Sequence, residues 1–147
     1  MKPVNKSSSN RKLFIALLIG AVVLIVSSCA KKINFQTSAV VPAARGTVKV
    51  KKDNNQNYVI SISLFNLAEA KRLPTNEQTY VVWMESNNQP VKNLGQINSS
   101  TKLLSKTLKA SLESVSPVRP TKIFITVENN SGVQYPGNEL VLTTNRF

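Results

Sequence analysis

Residues 13–26 (LFIALLIGAVVLIV) form an unbroken apolar run that no later part of the 147-residue chain repeats. At about 14 residues it is shorter than the roughly 18–20 that span a hydrocarbon core. Four basic residues, Lys2, Lys6, Arg11 and Lys12, precede it with no acidic residue among them, and the small pair Ser27-Ser28 follows it. A positive arm, a short apolar segment and small residues at the boundary are the parts of an export signal. The positive flank stays cytoplasmic, which sends the C-terminal side across the membrane. Residues 1–28 therefore read as a cleaved helical signal segment, and the rest of the chain as a cell-envelope domain facing the periplasm or exterior. An uncleaved membrane-spanning anchor is the alternative, and it leaves the domain on the same side.

The residue after this boundary is Cys29, the only cysteine in the chain. Val26-Ser27-Ser28-Cys29 resembles the lipobox of bacterial lipoproteins, in which an aliphatic residue and two small ones precede the lipidated cysteine. The resemblance implies cleavage between Ser28 and Cys29, diacylglycerol on the Cys29 thiol, and acylation such as palmitate at the new amino terminus. One acyl chain anchors only marginally, whereas two hold a protein stably at about 0.8 kcal/mol per buried CH₂.

A single cysteine rules out a disulfide framework within one chain. The absence of His rules out a Ser–His–Asp triad, a Cys–His dyad and a His-containing metal site. The formal charge is +12, from 19 basic and 7 acidic residues. Removal of residues 1–28 leaves 15 basic and 7 acidic residues, a charge of +8. Such a charge suits anionic partners, namely phospholipid head groups, lipopolysaccharide, acidic glycans or nucleic acid, while a merely solvated basic surface is the preferred reading. The basic residues come in pairs (Lys31-Lys32, Lys51-Lys52, Lys71-Arg72) or singly, with no Arg-rich helix, aromatic stacking motif or zinc pattern beside them. A nucleic-acid surface is therefore not expected.

Residues 30–45 lack clear periodicity and hold Pro42 between small residues, so 29–45 read as the lipidated Cys and a tether. From Gly46 the pattern turns strand-like. Val48 and Val50 alternate with lysines, and Tyr58, Ile60, Ile62 and Leu64 share one face. TYVVWMES (79–86) is apolar on both faces, as in a central strand. Val91–Ile97, KIFITVE (122–128) and ELVLTT (139–144) complete the strong β segments. Residues 102–114 fit a helix through Leu103, Leu104 and Leu108, or a strand through Leu108, Ala110 and Leu112; the strand is preferred. About seven short strands in roughly 100 residues predict an all-β, immunoglobulin-like antiparallel β-sandwich over 46–147, with a small barrel as the competing architecture.

Leu73-Pro74, Tyr80-x-x-Trp83, Pro90, Leu94-Gly95, Phe124-Ile125-Thr126-Val127-Glu128, Gly132, Pro136 and a closing Leu140-Val141-Leu142 resemble the extracytoplasmic domain of anti-sigma-K factors. The likeness covers about residues 46–144 and implies the fold and an envelope location. It does not imply capture of a sigma factor, because residues 1–12 are too few to fold into the cytoplasmic domain that does this.

No catalytic residue, metal ligand or cofactor is expected. Tyr80 and Trp83 lie three apart in a strand and so on opposite faces, a poor stacking platform; Trp83 is expected inside the sandwich. Glu85, Glu128 and Glu139 are the carboxylates a glycosidase site would need, but the chain has few acids and no acidic cluster. The expected function is a non-enzymatic, lipid-anchored interaction or structural module. Its partners would be the membrane, through the lipid anchor, and an envelope protein or an anionic glycan or lipid. The alternative is an extracytoplasmic sensor or regulatory protein acting through a partner.

Overall fold

A computed structural model describes residues 30–74, 78–99 and 108–147. The signal segment, Ser28 and Cys29 lie outside the described residues, as does the 102–107 part of the ambiguous 102–114 segment. The described chain is all-β. Its strands are β1 (Lys31–Asn34), β2 (Arg45–Lys52), β3 (Tyr58–Phe65), β4 (Thr79–Ser86), β5 (Gln89–Ile97), β6 (Lys109–Ser116), β7 (Pro120–Glu128) and β8 (Leu140–Thr143). One 3₁₀ turn, Ala70–Arg72, lies between β3 and β4. The strands form two four-stranded antiparallel sheets, ordered β1-β2-β3-β6 and β5-β4-β7-β8.

Alternation produces the core. Val48, Ile60, Ile62 and Leu64 from the first sheet meet Tyr80, Val82, Met84, Ile123, Ile125 and Val127 from the second in one buried cluster. The intervening Lys49, Lys51 and Ser63 face outward. Burial of this kind is worth roughly 25 cal/mol per Å² of apolar surface, which is why two half-apolar sheets pack face to face. The Tyr80 hydroxyl reaches out of the core to donate to the Ala68 carbonyl at 2.9 Å, satisfying the one polar atom that ring brings inside.

Residues 30–45 are not a free tether. Lys31 to Asn34 pair with Val50 to Thr47 as an edge strand. Ile33 and Phe35 are each 9% exposed, while Val41 and Ala44 are also buried. Phe35 bridges to Thr144, and the Gln36 amide donates to the Thr143 carbonyl. This segment therefore crosses from the first sheet to the last strand of the second. Its period-two signal is only two residues long, and its burial depends on what it docks against. It adds one strand to the seven expected, which correspond to β2–β8.

Trp83 does not lie between the two sheets, where its strand was expected to place it. It is fully buried, but it packs with Val81 and Phe124 in a separate cluster, on the face of the β5-β4-β7-β8 sheet turned away from the first sheet. Tyr80 takes the inner face, as their odd spacing requires.

Candidate functional site

Two places outside the central core combine polar and aromatic side chains. The first is the outer face of β4 and β7. Trp83 stacks on its cross-strand neighbour Phe124, with ring centroids 6.4 Å apart and planes at 17°. Its indole N–H donates to the Thr126 hydroxyl at 2.7 Å. Thr126 in turn donates to a Glu128 carboxylate oxygen, which also accepts the Gly137 amide at 2.8 Å. A Cβ on Gly137 would stand 2.9 Å from Glu128 Oε2, so glycine is what lets the loop backbone come this close.

Loop 129–139 is clasped from the other side by β5. A bulge opposite Val82 and Trp83 brings Val82 against Gly95 and Trp83 against Asn93, leaving Leu94 as the extra residue. Gly95 takes a positive φ there, and its amide donates to Asn93 Oδ1. The Asn93 amide group is thereby aimed at the loop, where it donates to the carbonyls of Ser131 and Val133 at 3.0 and 2.9 Å. The indole N–H, the Thr126 hydroxyl, the Gly137 amide and the Asn93 amide group all have partners within the protein, so the arrangement is a strap over a buried indole and not an open binding site.

Glu85 and Glu128 lie toward opposite ends of the β4–β7 pair. Glu85 is held by Lys122 at 3.0 Å and Arg146 at 2.7 Å. Glu85 is opposite Lys122 in the β4–β7 register, whereas Glu128 is opposite Thr79 at the far end. Six residues of extended chain separate those positions, about 20 Å. That exceeds the roughly 5–9.5 Å between paired glycosidase carboxylates. Among the described residues no three of His, Cys, Asp and Glu gather where they could hold a metal ion.

The second place is a cleft of about 410 Å³ where β1 and β3 begin and β2 ends. Lys31, Lys52 and Arg119 line it together with Ile33, Tyr58 and Phe147. Lys52 Nζ lies 5.3 Å from the centre of the Tyr58 ring, and the Phe147 amide donates to the Thr121 carbonyl. Among the described residues none of the three cations is in an ion pair. Asp53, beside Lys52, is committed to its own turn, where its carboxylate accepts the amides of Asn55 and Asn57 at 2.8 and 2.9 Å. The cleft is therefore cationic, with an apolar lining. In the sequence Lys31 and Lys52 stand out only as members of basic pairs, and nothing in the linear pattern brings them to Arg119 and Phe147.

The two expected site residues, Ser28 and Cys29, precede the described chain, but Lys31, two positions after Cys29, lines this cleft. No protein-family model, curated protein or solved structure matches the chain.

Proposed function

We propose that the protein is a non-enzymatic cell-envelope lipoprotein, an immunoglobulin-like sandwich attached through acylated Cys29 and serving as an interaction or structural module. The observation that carries this reading is the short distance between lipobox and fold. Lys31 already belongs to β1, only two residues after Cys29. An acylated Cys29 would seat the start of β1 at the lipid surface with almost no slack. The sandwich would then stand with one chosen end toward the membrane and its 129–139 loop end away from it.

The strand order supports the immunoglobulin-like assignment. Taking β2, β3 and β6 as strands A, B and E, and β4, β7 and β8 as C, F and G, reproduces the neighbour order expected of that fold, apart from strand D, which has no counterpart among the described residues. β5 takes the place of C′, and β1 lies outside A. The domain departs from antibody domains in having no inter-sheet disulfide and in carrying its strand-C tryptophan on the outer face. The non-enzymatic reading draws on the separation of Glu85 from Glu128 and on the use of both in internal contacts.

The test is metabolic labelling with palmitate in a bacterial host, followed by intact mass. Label on the wild type, loss of residues 1–28, and loss of both label and cleavage in Cys29→Ser are expected. Label that survives in Cys29→Ser sinks the lipoprotein reading, since the chain has no second thiol.

A further inference from the structure

We propose that the cleft between Lys31, Lys52 and Arg119 takes the phosphodiester head group of an anionic membrane lipid. Three features of the site lead there. Cations from β1, β2 and the turn before β7 line this one cleft, and among the described residues no carboxylate pairs with any of them; the Lys52 ammonium donates only to the neutral Gln56 Oε1, at 3.2 Å. Asp53, next to Lys52 in the sequence, is engaged in its own turn, where Oδ1 accepts the amides of Asn55 and Asn57. The lining between the cations is apolar, with Ile33, Tyr58 and Phe147. A free inorganic anion gains nothing from such a lining. A lipid offers it a glycerol backbone and the first acyl carbons below a charged phosphate. Tyr58, half-buried under the Lys52 ammonium, has the amphipathic character that suits a membrane interface.

The position of the cleft selects the membrane as the source, and this step rests on the lipoprotein reading. Acyl chains on Cys29 would enter the bilayer two residues from Lys31. Lipid head groups are then the anions present at high local concentration beside this end of the sandwich. The attraction is short-ranged and is screened within a Debye length of about 8 Å at physiological ionic strength, so it needs the near placement that the short connection supplies. A basic residue close to an anionic surface contributes a factor of about five in affinity. Three acting together amount to roughly a hundredfold.

The experiment uses the full-length protein, processed and acylated, in nanodiscs of phosphatidylcholine. Short-chain phosphatidylglycerol is titrated in while the amide signals of Lys31, Lys52, Tyr58 and Arg119 are followed by NMR. Saturable shifts at these residues are expected, weakening about a hundredfold in Lys31→Gln/Lys52→Gln/Arg119→Gln and falling with added salt. These surface substitutions leave the core intact, which the unchanged spectrum of β4 and β7 will report. The inference is overturned by absent shifts, by equal shifts with short-chain phosphatidylcholine, or by shifts that persist in the triple variant. Glycerol phosphate that binds as tightly as the lipid overturns it too, since the cleft would then recognise the anion alone. Intact mass of the same preparation reads the anchor separately. A chain without acyl groups refutes the lipoprotein reading, and acylated protein with a silent cleft refutes only this one.

Discussion

The indole N–H of Trp83 donates to the hydroxyl of Thr126 at 2.7 Å, across the β4–β7 pair and on the face of the sheet turned away from its partner sheet. Thr126 is the middle of a chain that runs from the indole to Glu128 and from there to the Gly137 amide. A single hydroxyl thus links the packing of an aromatic ring to the seating of an eleven-residue loop, 129–139.

Thr126→Val keeps the shape of the side chain and removes the link. It leaves a buried N–H without an acceptor and a buried carboxylate without one of its donors. An unsatisfied buried group costs about 1–3 kcal/mol. Urea unfolding should show a loss in that range, and a change below about 0.5 kcal/mol would mean that the chain contributes little.

The tryptophan itself is fully buried, so its emission should be blue-shifted and insensitive to iodide. Trp83→Ala should cost about 3–5 kcal/mol, against a total stability of about 5–15 kcal/mol for a domain of this kind. Red-shifted, quenchable emission would show that loop 129–139 does not cover the ring in solution.

Gly137→Ala tests the strap from the other side. The added Cβ would stand 2.9 Å from a Glu128 carboxylate oxygen, so the loop must lift or the carboxylate must move. Faster amide exchange at Gly137 and across residues 129–139 is expected, with exchange in β3 unchanged, because local opening need not involve the whole fold. Uniformly faster exchange would instead mean that the loop and the core unfold as one unit.

Deleting residues 30–45 should disable folding. It strips Ile33, Phe35, Val41 and Ala44 from the core and uncovers the edge of β2. Loss of a buried Phe or Ile alone costs roughly 2–5 kcal/mol, so the combined loss approaches the whole stability of a small domain. A shortened chain starting at Gly46 that melts with unchanged midpoint and cooperativity would show that the segment only rests on the sandwich.

Burial pushes the Tyr80 hydroxyl up to about 12 from its ordinary 10. The folded state therefore holds this proton more tightly than the unfolded state. The stabilisation is complete below about pH 10 and is lost as pH rises toward about 12. Unfolding free energies across that window should fall more steeply for the wild type than for Tyr80→Phe, whose ring cannot ionise. Parallel slopes would mean that Tyr80 is free to ionise in the folded protein.

The linear pattern of the chain determines its class. Alternation at 48–50 and 58–64 and the apolar, β-branched runs at 79–86 and 122–128, punctuated by Asn, Gly and Pro, allow little besides antiparallel sheets; β2, β3, β4 and β7 lie on those segments, and β6 lies where the pattern of 102–114 fits helix and strand alike. The odd spacing of Tyr80 and Trp83 likewise determines that they part to opposite faces, because successive side chains in a strand alternate. Which face is inside was decided only by the tertiary structure. Strand 79–86 is apolar on both sides, so its pattern is the same whichever face meets the other sheet, and only a loop fastened by Asn93 and Glu128 makes the outer face a place to bury an indole. Strand β1 was also beyond the reach of periodicity, since Ile33 and Phe35 are two positions whose burial exists only against β2 and Thr144. The basic cleft was least legible of all. Lys31, Lys52, Arg119 and Phe147 are strangers in the chain, and two sheets folded face to face are what make them neighbours.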